Sequence, residues 1–201
     1  MDMDSTLINE EGIDLLAHFA DLGEEVASLT DAAMAGELDF YTSLRRRVAL
    51  FEGQSIDLLD RVRDSLSLTE GAKDLISTLR QRGWRIGVVS GGFHEIIDSF
   101  LEPLELDFVR ANRFLTRAGH LTGFVHEPII GPIEKAKALS EFAAKCDIPL
   151  SATVAIGDGA NDREMLKRAG LGVAFCAKPA LKEEADLILD QRDLRLLLNS
   201  I

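Results

Sequence analysis

Residues 153–162 read TVAIGDGAND. The first half is short and apolar, and the second is a turn carrying two carboxylates and a carboxamide. An apolar run of that length, closed by glycine, fits a strand buried on both faces better than a helix. Working outward, RIGVVSGG (85–92), LGVAF (171–175) and ADLILD (185–190) repeat the same texture. Between them GAKDLISTLRQRG (71–83) and IEKAKALSEFAAK (133–145) carry apolar residues at helical spacing, the first stopped by Gly83. Strands alternating with helices predict an α/β fold with a doubly wound, mostly parallel sheet covered on both faces. DFVRANRF (107–114) and LTRAGHLTGFV (115–125), turning at Ala118-Gly119, predict a strand running into an edge hairpin.

The stretch before this has a different texture. From about Glu11 to Leu68 the pattern is helical throughout: Ile13, Leu16, Phe19 and Ala20 share one face, as do Ile56, Leu59, Val62 and Leu66. The organisation expected is a core built from residues 1–10 and 68–201, with residues 11–67 inserted as a helical unit. The closing RDLRLLLNSI (192–201) predicts a short helix packing on Leu194, Leu197 and Leu198.

Composition excludes several classes. With 201 residues, 46% of them hydrophobic, the chain can bury one full core and a small second lobe. A formal charge of −12 disfavours nucleic acid and anionic membranes and suits cations. Cys146 and Cys176 are too few for a disulfide framework or a thiolate metal site, so a reducing cytoplasm is expected. Neither an apolar run of about 18 residues nor a basic leader followed by an apolar stretch is present, so no membrane partner is expected.

Open parallel sheets bind ligands beyond the carboxyl ends of their strands. There the chain places Ser90-Gly91-Gly92, whose hydroxyl and unhindered N–H groups suit an anion, and Asp158, Asn161 and Asp162. Near the start, DMDST (2–6) adds Asp2 and Asp4. In an extended chain residues two apart face the same side, so both aspartates can face one site while Met3 packs away. Four carboxylates meeting at one edge must protonate or recruit a cation, and an all-oxygen set favours Mg²⁺ over zinc. Taken alone, Asp158 and Asp162 also suit an ordinary turn and helix start, and Ser90-Gly91-Gly92 an ordinary strand-to-helix turn.

In order along the chain, DMDST (2–6), VVSGGF (88–93), Lys135 ahead of its helix and GDGAND (157–162) resemble the haloacid dehalogenase superfamily. INEEG (8–12), AMAGELDFYTSLRRRV (33–48), ANR (111–113), LTG (121–123) and AFCAKP (174–179) are similar to its phosphoserine phosphatase family, over nearly the whole chain. The resemblance implies a Rossmann-like core with a helical cap. It also implies hydrolysis of phosphoserine, the last step of serine biosynthesis, through an aspartyl-phosphate on Asp2, with Asp4 as acid and base. Thr6, Ser90, Gly91 and Lys135 would hold phosphoryl oxygens. Mg²⁺ would sit among Asp2, Asp4 through its backbone carbonyl, Asp158 and Asp162, and Asn161 would contact the substrate or orient the metal shell. Glu11, Met34, Phe40 and Arg47 would surround the serine moiety, Glu11 taking its ammonium and Arg47 its carboxylate.

Arg47 interrupts an apolar stripe of Phe40, Leu44 and Phe51, which suits an inward guanidinium, whereas Arg45 and Arg46 suit solvent. Met34 and Phe40 suit a helical core equally well. Lys135 is chosen over Lys137 because it lies earlier, at the helix start. His18, His94, His120 and His126 match no motif, and Trp84 suits packing. Other readings of the same motifs are a phosphatase of another small phosphate, a phosphotransferase, or a non-catalytic phospho-ligand-binding module. The superfamily pattern puts an apolar strand of about five residues ahead of the first aspartate, and here only Met1 precedes Asp2. A first core strand missing from the N-terminus would leave its neighbours' backbone groups unpaired and a free α-ammonium beside Asp2.

Overall fold

The computed structural model describes residues 1–201. Parallel strands β1 (Gly87–Phe93) and β2 (Phe108–Asn112) form one half of a sheet; β5 (Val154–Gly157), β6 (Leu171–Phe175) and β7 (Leu187–Leu189) form the other, also parallel. Met1 and Asp2 lie between the halves. The Met1 nitrogen donates to Gly87 O (2.8 Å), Val89 N–H donates to Met1 O (3.0 Å), and Asp2 N–H donates to Ile156 O (2.8 Å). Those three bonds have the slanted pattern of a parallel ladder, so two residues do the work of a central strand. Met1 and Asp2 are therefore bonded to both sides, in the position where a missing strand was expected.

Helices cover the sheet because their apolar faces match it. In α5 (Ala72–Gln81), Ala72, Leu75, Ile76 and Leu79 are buried at 3–4 spacing, and α6 (His94–Leu101) buries Ile96, Ile97 and Leu101. The long helix α7 (Pro132–Lys145) opens on proline, whose fixed φ suits a first turn, and α8 (Arg163–Arg168) packs beside it. The edge hairpin of β3 (Phe114–Arg117) and β4 (His120–Val125) turns at Ala118-Gly119, where φ is +50° and +79°, the primed geometry that matches strand twist. Residues 194–199 form a 3₁₀ helix that buries Leu194 and Leu197.

The inserted segment contains α1 (Gly12–Phe19), α2 (Gly23–Met34), α3 (Phe40–Ala49) and α4 (Asp57–Asp64). Its two ends are tied where the chain leaves and re-enters: Asn9 N–H donates to Ser67 O (3.0 Å) and Thr69 N–H to Leu7 O (2.9 Å). Leu16, Val26 and Leu44 belong to the same continuous apolar cluster as Met3, Leu75, Val88 and Phe175. The helices are thus seated on the sheet layer by burial as well as by the two strands of chain. Ile56, expected on the buried face of α4, is exposed because it caps the helix rather than lying within it. No helix is long and apolar enough to cross a membrane.

Gly71 sits at φ +75° before α5, and a Cβ there would run into the Asp193 carboxylate and the Arg195 backbone. The substitution Gly71→Ala is expected to loosen the docking of residues 192–201 and lower the melting temperature by roughly 3–8 °C, measured by differential scanning calorimetry.

Candidate active site

The loop Met3–Leu7 follows the Met1–Asp2 pairing directly and is closed by Ile8 N–H donating to Met3 O (3.0 Å). Ser5 takes φ +53°, which turns the chain back after Asp4. Met3 packs into the core with no exposed surface, while Asp2 and Asp4 both line a cleft of ≈ 490 Å³ under the inserted helices. The cleft floor is Asp2, Asp158, Gly91 and Gly92, and its roof includes Glu11, Met34, Phe40 and Arg47.

Beneath the floor, Lys135 is completely buried from the first turn of α7. Its Nζ lies 2.7 Å from Asp2 Oδ1 and 2.8 Å from Asp162 Oδ1. Burial alone would lower its pKa, and Asp162 and Asp2 more than reverse that, so it stays charged. Lys137, two residues on, is 60% exposed and reaches only Glu134. The remaining oxygen of Asp162 accepts N–H bonds from Asp158 (3.2 Å) and Gly159 (3.1 Å). Gly157 is required there, since a Cβ would overlap the Asp162 side chain.

Asp2, Asp158 and Asp162 bring one carboxylate oxygen each within 4.8 Å of one another. Three carboxylates share the one lysine. Burial, followed by the charge of Asp162, pushes the Asp158 carboxyl up to about 6, and the same two causes raise Asp2 well above the usual carboxylate range. Such a cluster wants a second positive charge. The donors are all oxygen, with Thr6 Oγ1 donating to Asp158 Oδ1 (3.2 Å), so the residues present fit a hard divalent cation such as Mg²⁺. The carboxylate of Asp4 stands outside this group: Oδ1 accepts from Gly12 N–H (2.8 Å) and Oδ2 from Ser90 Oγ (2.9 Å).

Ser90 is fully buried and also accepts the Gly92 N–H (2.8 Å), which fixes its hydroxyl toward Asp4. A Cβ on Gly91 would meet the Phe40 ring at 3.1 Å, so the inserted helices close directly over this turn. Asn161 lies on the same side of the cleft. Opposite, Arg47 holds its Nε buried without a hydrogen-bond partner. Desolvation lowers the Arg47 pKa and Asp14, Glu11 and Asp4 oppose it. Glu11 accepts from Ser5 Oγ (2.7 Å), and burial, then Asp4, push it up to about 7. Met34 is 61% exposed at the rim, where Lys178 Nζ stands 3.5 Å from its sulfur.

Two contributors carry no role in the sequence reading. Gly12 supplies the N–H that orients Asp4. Buried Asn112 donates to Gly91 O (2.8 Å) and accepts from Ile130 N–H (2.7 Å), so it holds the Ser90-Gly91 turn open to the cleft. Both sit inside quoted motifs, INEEG and ANR, but a backbone donor and a loop brace leave no chemical signature in a single sequence.

A family model described as haloacid dehalogenase-like hydrolase matches residues 1–167. A curated relative, the phosphoserine phosphatase of Lactococcus lactis, is 47% identical over 201 residues, covering 100% of this chain and 93% of its own. Two solved structures superpose with TM-score 0.94 at 44% identity over the whole chain, covering 96% and 95% of theirs. One is a phospho-aspartyl intermediate analogue of phosphoserine phosphatase and the other a substrate-bound phosphoserine phosphatase complex. The chain belongs to the haloacid dehalogenase-like hydrolases, within the phosphoserine phosphatase family.

With Asp158 raised to about 6 from 3.8, the folded state favours its proton, and this stabilisation is lost as pH rises through about 6. A divalent cation binds the ionised form. Millimolar Mg²⁺ is therefore expected to raise the melting temperature by several degrees at pH 7.5 and by much less at pH 5, read by differential scanning fluorimetry.

Proposed function

We propose that this chain hydrolyses O-phospho-L-serine to serine and phosphate, the reaction that ends serine biosynthesis. The observation that carries the reading is one cleft with a carboxylate cluster at its floor, a buried lysine beneath it and an unpaired guanidinium in its roof. A phosphate monoester at the floor and an α-carboxylate at the roof describe that cleft's complement.

The residues divide the work as follows. Asp2, its carboxylate held by Met3 N–H (2.7 Å) and Lys135, attacks phosphorus in line. The bond to the serine oxygen breaks as the Asp2–phosphorus bond forms, and Asp4 delivers a proton to the departing oxygen. Asp4 then takes a proton from water as the water oxygen attacks the aspartyl-phosphate, and the Asp2 carboxylate leaves. Gly12 N–H and Ser90 Oγ aim the Asp4 carboxyl for both transfers. The Gly91 N–H and the third proton of Lys135 face charge growing on the phosphoryl oxygens; Thr6, whose single proton goes to Asp158 in the free chain, would turn it to them when substrate binds, and Ser90 would do so whenever Asp4 is itself protonated. Asp2, the Asp4 backbone carbonyl, Asp158 and Asp162 would hold Mg²⁺, with Asn161 orienting the substrate beside them. When bound, that ion neutralises phosphoryl charge and stabilises the in-line geometry.

Residues 11–67 act as the cap. Arg47 pairs with the substrate carboxylate, Glu11 receives the ammonium, and Met34 and Phe40 wall off water. Cys146 and Cys176 are both free thiols, which supports residence in the reducing cytoplasm.

Phosphate release from phosphoserine is expected to depend on Mg²⁺, and Asp2→Asn to lose at least about 10³-fold in kcat with unchanged circular dichroism. Release that persists in Asp2→Asn or in excess chelator refutes the mechanism. Arg47→Ala is expected to raise KM for phosphoserine roughly 10–100-fold and leave p-nitrophenyl phosphate nearly unaffected. Equal losses on both substrates would point to a different small phosphate.

Glu11 supplies a pH dependence. Its carboxyl is protonated below about 7, where it cannot hold an ammonium. KM for phosphoserine is expected to fall as pH rises through about 7, and Glu11→Gln to flatten that profile.

A further inference from the structure

The helix α3, which carries Phe40 and Arg47 into the roof, is held at its two ends by different means. After its last turn the backbone is tied to β4, with Gly53 N–H donating to Leu121 O (2.9 Å) and Leu121 N–H to Gln54 O (2.8 Å). At its start Asp39 caps the helix through Thr42, which is a bond within the inserted segment. The side chains of α3 that hydrogen-bond to the core are Tyr41 and Arg45. Arg45 meets Glu127 with 51% and 59% of the two side chains exposed, and such pairs contribute little.

Tyr41 is placed differently. Its ring lies so close to Gly131 that a Cβ there would stand 2.6 Å from it and 3.0 Å from the Phe40 ring. Its hydroxyl donates to Glu134 Oε2 (2.7 Å), the oxygen that also accepts the Gly131 N–H (3.3 Å) in the first turn of α7. Burial alone would raise the Glu134 carboxyl, and the bonds it accepts from Tyr41 and from backbone N–H groups more than reverse that, so the acceptor is ionised and the Tyr41 bond charge-assisted. The next residue of α7 is Lys135, beneath the floor; the residue before Tyr41 is Phe40, whose ring would meet a Cβ on Gly91 at 3.1 Å. One bond thus joins the first turn of the roof helix to the first turn of the helix under the floor, where the ring and the Ser90-Gly91 turn are in contact. Released there, α3 pivots about its bonds to β4, which moves Phe40 more than Arg47 because Phe40 lies farther from them.

We infer that Tyr41 is a positioning residue for the reaction proposed above: its hydroxyl, held by Glu134, sets the width between the Phe40 ring and the Gly91 turn, and so limits the bulk admitted beside the phosphoester. Tyr41 acts through Phe40. Serine carries two hydrogens on the carbon that bears the ester oxygen; a methyl group in place of one, as in O-phosphothreonine, needs space that the seated ring occupies. Discrimination by one such group in a fixed pocket is about 10–200-fold, and it falls when a wall can yield.

Tyr41→Phe keeps the ring on Gly131 and removes only the hydroxyl. It is expected to raise KM for phosphoserine about threefold with kcat within about twofold, and to narrow the preference in kcat/KM for phosphoserine over phosphothreonine by about fivefold or more. Glu134→Gln keeps an acceptor oxygen and should retain most of that preference, whereas Tyr41→Phe added to Glu134→Ala should narrow it no further than Glu134→Ala alone. Arg45→Ala, which cuts the exposed pair on the same helix, should leave it unchanged. The chain has one tyrosine, so labelling with [13Cζ]tyrosine gives a single resonance. Burial, then the bond to Glu134, push this phenol up to about 12, with Asp39 adding to the shift. At about pH 10.5, where an ordinary phenol is mostly ionised, Tyr41 is expected to stay protonated, and Glu134→Ala to ionise it. An unchanged preference in Tyr41→Phe, an equal narrowing in Arg45→Ala, or a Tyr41 phenol that ionises near 10 in the unsubstituted chain would overturn the inference. A chain that turns over p-nitrophenyl phosphate but not phosphoserine would overturn the substrate reading on which it rests, and the inference with it.

Discussion

The ammonium of Lys135, enclosed with no exposed surface between Asp2 and Asp162, is the contact on which the catalytic end of the molecule depends. It joins three parts of the chain far apart in sequence: the amino terminus, the start of α7 and the turn after β5. A buried charge of either sign is costly alone, and removal of one partner leaves the others uncompensated. The strand ends are therefore drawn together around a fixed charge, and Asp2 reaches the cleft floor in one orientation, with Met3 N–H holding the same oxygen.

That arrangement is electrostatically incomplete by design of its residues. One lysine faces three carboxylates, and burial makes the imbalance worse by weakening solvent screening. The upward shifts at Asp2 and Asp158 express this cost. The same imbalance that disfavours the isolated fold suits a hard cation and, in the function proposed, the substrate phosphoryl group beside it. In the roof, Arg47 and Glu11 repeat the logic at smaller scale: a guanidinium with a buried, unpaired Nε and a carboxyl raised by burial and then by Asp4 each await a group of opposite charge. The complement of the cleft is thus a molecule with phosphate at one end and a zwitterion at the other.

Seating of the inserted helices makes this selectivity physical. Phe40 reaches to the Gly91 backbone, and the apolar cluster shared by Leu16, Val26, Met3 and Leu75 leaves the helices no independent footing. The paired segments at Asn9–Ser67 and Leu7–Thr69 confine both crossings to one edge of the cleft. Closure and catalysis consequently meet at the turn that carries Ser90 and Gly91, which Asn112 braces from below.

Much of this was legible beforehand because it rests on local patterns. Short apolar runs closed by glycine or aspartate mark strand ends, and the 3–4 spacing in 72–81 and 133–145 marks helices, whatever lies around them. Family motifs then name Asp2, Asp4, Ser90, Lys135, Asp158 and Asp162 by order alone. Long-range geometry was not legible. That Lys135 is buried while Lys137 is solvated, that Asp4 is aimed by Gly12 and Ser90 while Asp2 is held by lysine, and that Asn112 is a brace all depend on which strand edges meet. The amino end is the clearest case: no local pattern in Met1 and Asp2 marks a strand, whereas backbone bonding seats them between the two half-sheets, tied to Gly87 and Val89 on one side and Ile156 on the other. Local periodicity is written residue by residue and can be read one segment at a time; the bonds from Met1 to Gly87 and from Ser90 to Asp4 each join residues 86 positions apart, and only the folded chain brings them within reach of one another.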